Sequence, residues 1–221
     1  MKPELQAYAL GDRLQTGHRA TVHHAVRTTD GRAILLKVLE PEHSRPQDLE
    51  RLRKEYEVGH ALAGLAVVEP LALSTFEGRP ALEFEDFPGA PLEKLVGAPM
   101  PVGDFLHLAV RLAGIVADIH ERGVIHKEIK PGNILFAPGS GELKVWNFSI
   151  AARSTRAQPP PRPTRLIEGS LPYMSPEQTG WMNRSVDSRS DLYALGVTFY
   201  ELLTGRLPFD ARDPLEWVHC H

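Results

Sequence analysis

From Val124 to Ser149 the chain reads VIHKEIKPGNILFAPGSGELKVWNFS. Two apolar runs, Val124-Ile125 and Ile134-Leu135-Phe136, flank a polar cluster of His126, Lys127, Glu128, Lys130 and Asn133. That is the pattern of a reactive loop carried by a rigid scaffold. Glu128 is a carboxylate able to take a proton, Lys130 a cation able to neutralise an anion, and Asn133 an amide whose oxygen can face a donor or a cation. After a turn at Pro138 to Gly141, Glu142 to Trp146 alternates as a strand does and brings Asn147, Phe148 and Ser149 to its end.

The elements that must position this loop are legible on both sides of it. Tyr8 to Val26 reads as strand, turn and strand, with Gly17 in the turn. Ala33 to Leu39 (AILLKVL) is an apolar strand interrupted by Lys37, which local sequence alone makes an edge or snorkelling residue. Gln47 to Leu62 has helical spacing of Leu49, Leu52, Tyr56 and Leu62, with Glu55 and Glu57 between them. Leu71 to Phe76 and Ala81 to Glu85 form a hairpin through Glu77-Gly78-Arg79-Pro80. Pro101 to Arg122 is an amphipathic helix with a stripe of Phe105, Leu108, Leu112, Ile115, Val116 and Ile119, ended by Gly123. Asp187 to Gly205 is an apolar helix entered through Ser190. Between them, the three consecutive prolines 159–161 mark a stiff surface loop, and Gln158 to Pro163 also reads as a Pro-rich recognition ligand.

Composition narrows the function classes. The 221 residues are 42% hydrophobic and 24% charged, an ordinary globular balance with enough chain for one good core or two small lobes. A net charge of -3 without a basic stripe excludes nucleic acid as the expected partner. No apolar run approaches the roughly eighteen residues of a membrane span, and the first residues lack a signal-peptide core, so a cytoplasmic protein without membrane insertion is expected. The sole cysteine, Cys220, allows neither an internal disulfide nor a cysteine metal cluster. Among the histidines, His23 and His24 face opposite sides of a strand and give no metal site.

In order, these segments resemble the protein kinase family. His126-Lys127-Glu128-Ile129-Lys130-Pro131-Gly132-Asn133 stands where that family writes H-R-D-L-K-P-x-N, and Asn147-Phe148-Ser149 where it writes D-F-G. Lys37 follows Val22 at the spacing of the family's V-A-I-K lysine, and Gly169 to Glu177 resembles its G-T-x-x-Y-x-A-P-E segment. The resemblance implies an α+β, bilobal protein kinase-like fold: a small antiparallel β lobe with one helix over residues 1–86, and a mainly helical large lobe over 87–221, cut short after its central helix. It implies ATP as cofactor, with Gly17 and Val22 in the phosphate hairpin, Lys37 on the phosphates and Glu55 as its partner. Glu85 and Phe87 would lie in the linker that meets the adenine, behind which Phe84 would stand guard. Asn133 and Asn147 would hold Mg2+, Glu128 would be the base, Lys130 would neutralise the γ-phosphate and Asp191 would anchor the loop.

Departures from the family pattern set the functional alternatives. Both family aspartates are replaced, by Glu128 and Asn147, and two of the three loop glycines by Gln15 and Ala20. A carboxylate moved by one methylene and a neutral amide at the metal imply weak transfer and weak or absent Mg2+. The readings are therefore an ATP-binding signalling domain that is catalytically weak or a pseudokinase, an active serine/threonine kinase acting on protein hydroxyls, or a nucleotide-independent interaction module. Each implies a protein substrate or a regulatory protein partner, while no motif fixes the oligomeric state. The run from Gly169 to Phe209 further resembles the kinase-like module opening large bacterial proteins that continue into an AAA-type ATPase and a sensor histidine kinase. Helices beyond His221 would be missing on that comparison, leaving Glu177 without a partner and an apolar patch near Phe199, Leu202 and Leu207.

Overall fold

The computed structural model describes residues 7–43, 45–153, 168–180 and 184–221. Its smaller lobe comprises β1 (Tyr8–Thr16), β2 (Ala20–Arg27), β3 (Arg32–Leu39), α1 (Pro46–Ala61), β4 (Pro70–Phe76) and β5 (Arg79–Glu85). The strands form an antiparallel sheet in the order β1-β2-β3-β5-β4.

Strand β3 is central, which explains why AILLKVL is apolar on both faces. Its alternation sends Ile34, Leu36 and Val38 into a cluster with Tyr8, Phe76 and Ala81, and Leu35 and Leu39 into another with Val22, Leu52 and Leu82. Lys37 shares the second face and is paired in register with Val22 and Leu82, so it points into the body of the protein rather than lying on an edge. Helix α1 begins at Pro46, where a missing N–H leaves nothing unpaired, and buries Leu52, Glu55, Val58 and Gly59. Gly59 is required by close approach: a Cβ there would sit 2.8 Å from the Pro70 ring at the start of β4.

The larger lobe adds β6 (Ala90–Pro91), α2 (Val102–Glu121), β7 (Val124–Ile125), β8 (Ile134–Ala137), β9 (Glu142–Val145), β10 (Ala152–Arg153), α3 (Ser188–Thr204) and α4 (Pro214–Cys220). Helix α2 buries the whole predicted stripe from Phe105 to Ile119, and Gly123 ends it in the left-handed region at φ 70°. Together with α3 it forms the core on which the loop between β7 and β8 rests. The α+β bilobal architecture follows: an antiparallel sheet with one helix above, helices below. Among the described residues no helix is long and apolar enough to cross a membrane.

Several expectations for the large lobe are corrected. Asp187, not Ser190, caps α3 by accepting from the Arg189 N–H. The Ser190 hydroxyl instead donates to Glu177, which therefore has a partner. Leu202 is fully buried, Phe199 packs edge-on against Phe105 with centroids 5.4 Å apart, and Leu207 is half-buried, so the predicted patch is not exposed there. After Thr204 the chain turns through Gly205 into α4, whose end brings His221 against Tyr193 and the Leu171 carbonyl. The proline tract and the segment Gln158 to Pro163 lie outside the described residues.

Candidate active site

The loop 126–133 is held from below by one carboxylate. Asp191, fully buried in the first turn of α3, accepts from the backbone N–H of His126 at 2.8 Å and of Lys127 at 2.7 Å, and lies 2.8 Å from His120 Nε2. Lys127 has φ 69°, an uncommon conformation for a side chain of its size, and the Asp191 bond to its N–H helps to fix it. His126, also fully buried, spans the loop: Nδ1 accepts from the Glu128 N–H at 3.1 Å and Nε2 donates to the Trp146 carbonyl at 2.9 Å. Its ring also packs on Phe148 at 4.8 Å. These bonds fix the loop and the end of β9 relative to each other.

Above this support, the charged groups form one network. Lys37 Nζ donates to Glu55 Oε2 at 2.6 Å, to Oε1 at 2.9 Å and to Asn147 Oδ1 at 2.9 Å. Glu55 is 1% exposed, whereas Glu57 is on the exposed side of the helix, which decides between the two candidates. Asn147 has φ 67°, a conformation asparagine tolerates better than most residues. The orientation of its amide follows from charge, because reversing it would set NH2 against the Lys37 ammonium. Its Nδ2 therefore faces away from Lys37, 3.1 Å from Asn133 Oδ1 and 3.4 Å from Glu128 Oε2. Asn133 in turn donates to the Glu128 carbonyl at 2.7 Å. Glu128 Oε1 accepts from Lys130 at 3.1 Å and from the Ser170 hydroxyl at 2.8 Å, and Lys130 donates to Ser170 at 2.6 Å.

Gly17, Val22, Lys37, Glu55, Glu128, Lys130 and Asn147 line one cavity of about 390 Å³, so the structure brings most of the predicted residues together. Asn133 lies beneath it, 1% exposed. Glu85 and Phe87 are at the linker and do not line the cavity. The Glu85 carboxylate is held by Lys144 at 2.5 Å and by the Glu69 N–H at 3.0 Å, and Phe87 is 2% exposed beneath the Lys144 ammonium.

Ser170, Arg51, Glu168, Gln15 and Trp146 were not anticipated at the site. Ser170 touches both Glu128 and Lys130, Arg51 pairs with Glu168 at the cavity wall, Gln15 reaches the Gly132 carbonyl at 3.0 Å, and Trp146 closes one end. The Arg51 neighbourhood is rich in cations: burial lowers the Lys54 pKa, the nearby Lys127 lowers it further, and only Glu168 acts in the other direction. A signal for Trp146 existed in the alternation of β9. Leu143 and Val145 enter the large-lobe core, which leaves Lys144 and Trp146 to the opposite face.

Comparison with known proteins agrees with this geometry. The protein kinase domain family matches residues 8–220. Serine/threonine-protein kinase Pkn1 of Myxococcus xanthus is 33% identical over 208 residues, covering 92% of this chain and 30% of that protein. Serine/threonine-protein kinase PksC of Streptomyces coelicolor is 34% identical, covering 97% and 40%, and serine/threonine-protein kinase PknB of Mycobacterium leprae is 33% identical, covering 97% and 35%. The chain thus spans 30% to 40% of the length of these relatives. With a lysine–glutamate pair between sheet and helix, and a buried aspartate under a loop of family pattern, this chain belongs to the protein kinase domain family.

Proposed function

We propose that this chain is a kinase-fold signalling module in which phosphoryl transfer to protein hydroxyls is weak or lost. The observation that carries the reading is the Asn147 amide, whose NH2 faces Asn133 Oδ1 because its oxygen faces Lys37. A magnesium ion between these two side chains needs oxygen ligands, normally including a carboxylate. An amide N–H in that place repels the cation, so the residues do not fit Mg2+ well. Metal of that kind would supply charge neutralisation at the phosphates, a role that the cations lining the cavity, Lys37 and Lys130 among them, would have to take over.

Glu128 supports the same reading from the other side. As a base it would accept the proton of a substrate hydroxyl, but its longer side chain places the carboxylate against Ser170 and Lys130, which already occupy Oε1. A displacement of about 1 Å from productive geometry costs roughly a hundredfold in rate. Lys37 and Glu55 retain the arrangement that would meet the phosphates of ATP, so loss of the metal and a shifted base, rather than loss of fold, would limit turnover. The partner is then a protein, either a slow substrate or one whose binding the module controls.

Restoring both aspartates tests this. In a radiolabel assay on a generic protein substrate, Glu128→Asp combined with Asn147→Asp should raise transfer by more than the two single changes multiplied together, because base and metal serve one transition state. Vigorous transfer by the unaltered chain, abolished by Lys37→Ala, would refute the proposal in favour of an active kinase.

A further inference from the structure

We infer that Trp146 occupies the compartment of the cleft in which a purine would lie, so that this chain excludes the nucleobase and becomes a purine binder when the indole is removed. This goes beyond the preceding proposal, since it concerns binding at the linker end rather than transfer at the other.

The compartment is bounded by β1 and β2 above, β8 below and the linker behind. Its walls are Leu14, Val22, Leu35, Phe84, Phe87 and Leu135, drawn from both lobes, and all of them belong to one contiguous buried cluster that also contains Trp146. None of these wall residues is more than 6% exposed. The walls are dry, and Trp146, itself 1% exposed, packs among them as part of the same cluster. The open cavity reaches Val22 and Trp146 but not Phe87 or Leu135, so it stops at the indole.

The indole is anchored rather than loosely inserted. Its Nε1–H donates to the Gly132 carbonyl at 3.1 Å, and its ring meets Phe84 edge-on with centroids 6.2 Å apart. Its backbone N–H donates to the Asn133 carbonyl at 3.1 Å. The same Gly132 carbonyl accepts from Gln15 Nε2 at 3.0 Å, a bond that runs from the hairpin of the small lobe to the loop of the large one. A Cβ at Gly132 would come within 2.6 Å of a Glu93 oxygen and 3.0 Å of the Gln15 nitrogen, so both side-chain ends lie close over this turn. Gln15 and Trp146 together seal the edge through which a nucleoside would enter.

A large aromatic that merely completed the core would behave differently from one that stands in for a base. Removing either leaves an apolar cavity that small apolar molecules can fill. A cavity left by a residue that stands in for a base should in addition take up a purine. The test is the 221-residue chain as it stands, compared with Trp146→Leu and the milder Trp146→Phe, in thermal melts with adenosine, ATP and indole.

For the unaltered chain we expect no shift with adenosine. For Trp146→Leu we expect a rise of about 5 °C in Tm at adenosine near a hundred times its Kd, with ATP acting at least as strongly. Should Trp146→Leu not fold, the same rise in smaller measure is expected of Trp146→Phe. An adenosine shift in the unaltered chain overturns the inference. So does a folded variant that takes up indole but not adenosine. Failure here is separable from failure of the transfer proposal: ATP binding without transfer in the unaltered chain sinks only this inference, and no gain in transfer when both aspartates are restored in Trp146→Leu, where ATP binds, sinks only the other.

Discussion

The support beneath the loop and the charged cluster above it are built from the same residue types, yet they are held in different ways. Below, Asp191 has both oxygens engaged by backbone N–H groups and a histidine, out of contact with solvent. Above, Glu128 and Lys130 retain some exposure, with side chains 12% and 24% accessible, and satisfy each other with Ser170. The first arrangement fixes backbone, so its removal acts on the fold. The second fixes only side-chain tips at a cavity wall, so its composition can change without disturbing the loop. That is how this chain can carry Glu128 and Asn147 in place of the family's aspartates and keep the kinase architecture around them.

The sharpest way to break the comparison is at Asp191. Asp191→Ala leaves two buried N–H groups and His120 without their acceptor and releases the left-handed Lys127. A loss of about 3–5 kcal/mol is expected, read as a fall of roughly 10 °C in Tm. Chemical denaturation should show it, and a loss below about 1 kcal/mol would mean that the loop holds itself.

Lys37 and Glu55 test the boundary between the two kinds. They belong to the upper network by position, but Glu55 is 1% exposed, so the pair should weigh on stability as the lower support does. Lys37→Met strands a buried carboxylate and should cost about 3 kcal/mol, whereas Lys37→Met with Glu55→Leu should recover most of it. Equal losses in the single and double variants would show that the pair contributes packing and not charge.

Much of this layout could be read from the residues alone, and the exceptions have a common cause. Lys37, Glu55, Asn133 and Asp191 are legible through the family motifs that contain them, since local period alone makes Lys37 an edge residue and leaves Glu55 and Glu57 equal. The role of Trp146 depends on Phe84, Phe87 and Leu135, which come from other elements, and that of Gln15 on a carbonyl at Gly132. The Asn147 amide takes its direction from Lys37, across the cleft. Leu202 looked uncovered because the residues that cover it precede α3 in the chain: the N–H of Met100 donates to its carbonyl at 3.0 Å, and α2 packs beside it. These misses are contacts between separate segments, invisible to local periodicity, whereas the cap of α3 at Asp187 is a local one.

The smallest effect is expected at His221, where the lower-lobe type of arrangement can be tuned by pH. Its Nε2–H donates to the Leu171 carbonyl at 2.8 Å, which leaves Nδ1 to accept from the Tyr193 hydroxyl at 2.6 Å. Phe209 and Trp217 enclose the ring, with centroids 5.5 Å and 6.0 Å away. Burial lowers the His221 pKa below its ordinary 6.5, and the Leu171 bond only partly offsets this. The folded protein therefore favours the neutral ring, while the unfolded chain takes up a proton at the ordinary value. Stability from this group is complete above pH 6.5 and is lost as pH falls through the lowered folded value. Protonation would also place a hydrogen on Nδ1 and force the Tyr193 hydroxyl to turn. Melting curves between about pH 5 and 7.5 should show Tm falling on the acid side, with His221→Gln flattening that part of the profile after the other carboxylates and histidines are allowed for by difference. A profile unchanged by the substitution would mean that the ring meets solvent readily enough to charge in place, and the contacts around α4 would then have to be looser than those around Asp191.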